Sequence, residues 1–146
     1  MEIQISHRLK IPGVKSRKIK KRLSMVLKDL GSDEKELSIF FTGDEQIAEL
    51  NRSYLGRDGP TNVLAFPITG DSQMDIESVM LGDVVISVDT ARRESEEANE
   101  SLEMTVFRLL VHGILHLHGY DHERSLEDEK IMQTEEKRLL NLIMEE

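Results

Sequence analysis

Residues 112 to 122 read HGILHLHGYDH and carry four of the chain's five histidines. His112 and His116 are four apart, so on an α-helix, at about 100° per residue, they share a face one turn apart and their rings converge. His118 lies about 200° beyond His116 and points away from both. His122 is six past His116, about 240° round, and reaches the pair only if the helix stops between them. Gly119 stands where that stop is needed, because glycine accepts the left-handed conformation that ends helices. Three imidazoles with a fourth position left for water make the ligand set of a catalytic zinc site, so one zinc ion held by His112, His116 and His122 is expected. Nickel or copper accepts the same rings, and zinc is preferred on availability and geometry. A histidine pair alone is weak evidence, since buried histidines are often only hydrogen-bonded, but the full spacing H-x-x-x-H-x-x-G-x-x-H is far more specific. His118 and His7 are read as surface or hydrogen-bonded histidines.

The zinc proteases that share this spacing place a glutamate general base directly after the first histidine. Gly113 occupies that position, so a peptidase of that design lacks its proton acceptor. A metal can still lower the pKa of bound water to about 7 and polarise a phosphoryl oxygen, which leaves phosphodiester hydrolysis open. Asp121, beside the third ligand, can orient an imidazole or assist proton transfer; equally, it can be a turn aspartate bonded to its own backbone.

The elements that must position these groups are legible in the hydrophobic pattern. A first strand is expected over residues 2 to 6, then a break at Pro12 and Gly13. A helix capped by Ser16 follows, carrying Ile19, Leu23, Val26, Leu27 and Leu30 on one face and lysines and arginines on the other, and Gly31 stops it. ELSIFFT reads as a strand, and Asp44 as the cap of a helix carrying Ile47, Leu50 and Tyr54. LGRDGPTNVLAFP is a loop, then a strand from about 62 to 66 ended by Pro67; residues 68 to 80 are an exposed connection. LGDVVIS, rich in β-branched residues, is a further strand. A polar helix spans Asp89 to Glu100, and Ser101 caps the next, whose Leu102, Val106, Phe107, Leu109, Leu110, Val111, Ile114 and Leu115 leave no wide polar face. That histidine-bearing helix therefore crosses the core. A last helix starts at Ser125, with Asp128 as its capping partner, and buries Ile131, Leu139, Leu142 and Ile143.

A chain of 146 residues is the size of one domain. It has no cysteine, which excludes disulfides and thiolate ligands and fits a cytoplasmic location. The N-terminus lacks the marks of a signal peptide, and the longest apolar run, about a dozen residues, is short of the roughly 20 a membrane span needs. Net charge is −9, yet residues 1 to 28 hold nine of the nineteen basic side chains against the single acid Glu2. KSRKIKKRL is either a solvated helix face or a contact for RNA phosphates, with Lys18, Lys21 and Arg22 as the candidate side chains.

HGILHLHGYDH, preceded by LGDVVIS and by NRSYLGRDGPTNVLAFP, resembles the YbeY family of bacterial metal-dependent endoribonucleases, with the three motifs in the family's order from about residue 44 to 122. The resemblance implies one α+β domain over residues 1–146, with a small mixed four-stranded sheet packed with about five helices and a zincin-like site. It implies single-strand-specific RNA cleavage by zinc-activated water in ribosomal RNA processing, notably 3′-end maturation of 16S RNA, and in ribosome quality control. Expected partners are single-stranded RNA, ribosomal RNA and the small ribosomal subunit, with no membrane and no DNA. Leu55 stands where the family commonly has an arginine that holds phosphate; Arg57, or Arg52 one helical turn before it, can present a guanidinium there instead. Asp58, Thr61 and Asn62 are read first as turn-formers and second as an active-site wall, and Gly82 and Asp83 as the start of a strand. Two other readings stay open: a metallohydrolase of another substrate class, and a non-catalytic assembly factor whose zinc holds the fold.

Overall fold

The computed structural model describes residues 2–68, 80–121 and 125–144. Strand β1 (Glu2–His7), helix α1 (Ser16–Asp29), β2 (Glu36–Thr42), α2 (Asp44–Leu55), β3 (Val63–Pro67), β4 (Met80–Ser87), α3 (Val88–Glu97), α4 (Leu102–Leu117) and α5 (Leu126–Met144) follow in order. The sheet runs β1-β2-β4-β3, with β1, β2 and β4 parallel and β3 antiparallel to β4. This is the expected α+β domain with a mixed four-stranded sheet and five helices.

Period-two alternation sorts the strand residues between two cores. Leu37, Ile39 and Phe41 of β2 and Val84 and Ile86 of β4 join the main core, while Val85 and Leu64 join Ile47 of α2 in a smaller cluster. Ile5, Ile39, Val84 and Ala65 stand in register across the four strands. α4 packs against β3 and β4 on one side and meets α1, α3 and α5 on the others. Phe107, Leu110, Val111, Ile114 and Leu115 are each fully buried, as a helix without a polar face must be. Among the described residues no helix is long and apolar enough to cross a membrane.

Several local expectations are corrected. α1 begins on Ser16 with Lys15 as its cap residue and no side-chain cap bond; the Ile19 N–H already reaches the Lys15 carbonyl at 3.0 Å. Asp44 is likewise the first residue of α2. Its backbone N–H donates to Asp89 Oδ2 at 3.0 Å, so the cap comes from α3 across space. The Asp44 carboxylate is spent on Ser87 Oγ (2.7 Å), Thr90 Oγ1 (2.6 Å) and Arg93 (2.8 Å). Burial pushes its pKa up, but those three hydrogen bonds outweigh burial and hold it below the ordinary carboxylate value. α3 ends three residues early because Asn99 takes a left-handed φ of 55° and the chain turns there. Ser101 and Ser125 do cap their helices, accepting from Met104 N–H (3.1 Å) and Asp128 N–H (3.0 Å). On α5 the expected Leu139 and Ile143 are buried, but Ile131 and Leu142 are 48% and 37% exposed, and Met132 and Leu140 take the inward places instead.

Candidate active site

α4 carries His112 and His116 side by side, with Nε2 to Nε2 at 3.1 Å and ring centroids 4.7 Å apart. Two nitrogens bound at 2.0–2.1 Å to one tetrahedral zinc stand about 3.3 Å apart. The spacing of the pair therefore fits a shared ion, and all-nitrogen donors suit zinc chemistry. Among the described residues no third histidine, cysteine or carboxylate completes the cluster. His122, the third expected ligand, lies outside the described residues.

The expected stop is present. α4 ends at Leu117 with Gly119 at φ 92°, and the N–H groups of Gly119 and Tyr120 reach the carbonyls of His116 (3.0 Å) and Leu115 (3.1 Å). These two bonds make the Schellman turn that reverses a chain after a helix. Tyr120 and Asp121 then line the same cavity as the histidine pair. His118 is satisfied elsewhere, with Nδ1 on the Ile114 carbonyl at 2.8 Å and Nε2 on Ser32 Oγ at 2.7 Å. His7 stacks on Phe41, centroids 5.2 Å apart.

The cavity beside the pair has a volume of 780 Å³, and the loop after α2 forms much of its wall. Arg57, Asp58, Thr61 and Asn62 all line it, as does Leu55, so the wall reading of that loop holds alongside its turn role. Arg52 is exposed and does not line it. Asn51, 5% exposed, fixes the loop: its Nδ2 donates to the Gly59 carbonyl (3.0 Å), and its own carbonyl accepts from Arg57 N–H (3.3 Å). Asn62 ties the far end, donating to Glu94 at 3.0 Å and accepting Ser87 N–H at 3.0 Å. Sequence reasoning missed Asn51; a polar residue four after Ile47 on an inward helix face was the available signal.

Gly113 has a second meaning in three dimensions. A Cβ there would stand 2.8 Å from Val84 Cγ1, 3.2 Å from Val84 Cγ2 and 3.4 Å from Val63 Cγ2. The side of α4 between the histidines is pressed on the sheet, so a protease-type glutamate has no room at this position. Glu136 of α5, unnoticed in the sequence, places its carboxylate on Nδ1 of His112. Its signal was an acid on the apolar stripe of α5.

The basic helix is only partly a solvent surface. Arg22, expected there, is 7% exposed; its guanidinium donates to the Ile143 carbonyl and lies 5.9 Å over the Phe107 ring. It belongs to the packing of α1 on α4 and α5, and is withdrawn from the RNA-facing set. Lys18 pairs with Glu103 at 2.8 Å, and Lys21 is exposed.

Fold and site together define a class: a small α+β enzyme domain whose central helix presents a converging histidine pair to an open, loop-walled cavity. The family described as Endoribonuclease YbeY matches residues 4–144. The Endoribonuclease YbeY of Geobacter sulfurreducens is 42% identical over 144 residues, covering 98% of this chain and 96% of that protein. That of Aquifex aeolicus is 48% identical over 123 residues, covering 84% and 80%. A solution structure from Thermotoga maritima matches with a TM-score of 0.64 at 26% identity, over 97% of this chain and 88% of that one. The chain belongs to the endoribonuclease YbeY family.

Proposed function

We propose that this protein is a zinc-dependent endoribonuclease that cuts single-stranded RNA in the cytoplasm. Its proposed substrate is ribosomal RNA on or near the small subunit, in 16S 3′-end maturation and ribosome quality control. The observation that carries the reading is the pair of Nε2 atoms, 3.1 Å apart, in the wall of a 780 Å³ cavity, in a chain whose relatives are named endoribonucleases.

In this reading His112, His116 and His122 hold the ion. Bound there, zinc supplies Lewis acidity, making water a better nucleophile and polarising a phosphoryl oxygen. Arg57, on the loop that Asn51 anchors, offers a guanidinium to the phosphate, in the role that Leu55 cannot fill. Asp121 and Asp58 are the carboxylates that line the cavity among the described residues; Asp121, beside His122, handles the proton of the attacking water. Hydrolysis forms a P–O bond to the water oxygen and breaks the P–O bond to the leaving oxygen, which takes up the proton that the water gives. Lys21 adds long-range attraction for the backbone.

The test is cleavage of a labelled single-stranded ribosomal fragment and its duplex form, after chelation and after adding zinc back. Cleavage of the single strand alone, lost on chelation and restored by zinc, is expected, with a drop of about 10²-fold or more in Arg57→Ala. Undiminished cleavage in the chelated protein would overturn the metal role.

A further inference from the structure

Glu136 is an acid at a position suited to an apolar side chain. It falls on the inward stripe of α5 between Met132 and Leu139, which are 1% and 0% exposed, and its own side chain is only 19% exposed. A carboxyl group half removed from water needs a partner. The partner here is Nδ1 of His112, whose other ring nitrogen faces His116.

A carboxylate only accepts hydrogen bonds, so a carboxylate held on Nδ1 pairs with the ring tautomer whose proton is on Nδ1. A neutral imidazole has one N–H and one lone pair, and assigning the first assigns the second. Nε2 is then left with its lone pair directed at the point it shares with His116. Glu136 itself does not line the cavity, and its contact is on the far nitrogen of the ring, so it is not a proton acceptor for substrate. We infer that Glu136 is a positioning residue of the metal centre, accepting the Nδ1 proton of His112 and thereby fixing the tautomer and ring orientation that present Nε2 to the ion. The inference rests on the reading that His112 and His116 bind metal.

The test is the zinc Kd, measured by competition with a chromophoric chelator, for the wild type, Glu136→Gln and Glu135→Gln. Glutamine keeps the shape but offers Nδ1 either its NH2 as donor or a neutral oxygen that accepts more weakly than a carboxylate, so it no longer holds the proton on Nδ1 and lets it move to Nε2, where it blocks the ion. Glu136→Gln is expected to bind zinc about 10- to 100-fold more weakly. Glu135→Gln, whose carboxylate engages Arg138 instead, is expected to stay within about twofold of wild type, far below that range. A second readout is the ¹⁵N spectrum of the metal-free histidine rings at alkaline pH. The His112 proton is expected on Nδ1 in the wild type and shifted toward Nε2 in Glu136→Gln, a change that lost packing alone does not produce. Equal zinc affinity in the wild type and Glu136→Gln overturns the inference alone; wild-type protein that binds no zinc overturns the metal reading and the inference with it. If Glu136→Gln fails to fold, the wild-type spectrum decides, and a proton on Nε2 of His112 refutes the assignment.

Discussion

Replacing Gly113 by alanine sets two opposed effects against each other at the seam between α4 and the sheet. In an ordinary exposed helix position the change stabilises by about 1 kcal/mol, because glycine gives up more backbone entropy. Here the new methyl would stand 2.8 Å from Val84 Cγ1, with Val84 fully buried and unable to swing away. Overpacking of this kind costs about 1–3 kcal/mol, so the net expectation for Gly113→Ala is a loss of about 0–2 kcal/mol. The clash has one principal partner, which allows a cycle. Val84→Ala alone leaves a void and costs roughly 2 kcal/mol. With the valine methyls gone, Gly113→Ala recovers its helix advantage and stabilises by up to about 1 kcal/mol. The coupling between the two sites is therefore about 1–3 kcal/mol and favourable. Urea midpoints of the four proteins, measured with chelator present so that metal binding does not contribute, give that coupling. A stabilising Gly113→Ala in the wild-type background, or additive changes, would refute the steric account of why no glutamate sits between the histidines.

Three further expectations follow from the contacts. Arg22→Met should cost about 1.5–3 kcal/mol, because a charged donor to a buried carbonyl is lost, and should leave the salt dependence of RNA binding unchanged; Lys21→Ala should do the reverse, lowering the salt slope by roughly one unit with little effect on urea midpoint. Asn51→Ala should lower RNA cleavage by releasing the Arg57 loop, with zinc affinity kept and a stability loss of about 0.5–1.5 kcal/mol; cleavage at wild-type rate would show that the loop needs no anchor. Asp44, whose folded pKa is lowered from 3.8, contributes stability that is present above that value and lost as pH falls through the folded one. Asp44→Asn should thus be less stable at neutral pH and show a shallower fall below about pH 4, read from thermal midpoints across an acid series; parallel curves would contradict the assignment.

The sheet and the histidine helix were legible because each rests on a local pattern. Alternation in ELSIFFT and the β-branched run of LGDVVIS marked strands, and the unbroken apolar helix around His112 could only lie inside. Gly119 was readable as a stop because the left-handed turn needs that residue type. What escaped was of two kinds. Caps supplied across space, such as Asp89 to the Asp44 N–H, leave no mark in the neighbouring residues. Charged side chains on inward stripes were not read as buried: Arg22, three past Ile19 and one before Leu23, was given to the surface by type, and Glu136, four past Met132 and three before Leu139, was passed over. In both cases the structure supplies the partner that makes burial tolerable, a helix-end carbonyl for Arg22 and an imidazole for Glu136. On α5 the expected face was right at Leu139 and Ile143 but took in Ile131 and Leu142, where Met132 and Leu140 turn inward.

The most direct test of the site compares two histidines on one helix by zinc content and cleavage of a single-stranded ribosomal RNA fragment. His116→Ala removes a nitrogen 3.1 Å from its neighbour's, whereas His118→Ala removes a ring bonded to Ser32 and Ile114. His116→Ala is expected to lose both zinc and cleavage, while His118→Ala keeps both at some cost in stability. Cleavage that persists in a zinc-free His116→Ala protein would contradict this.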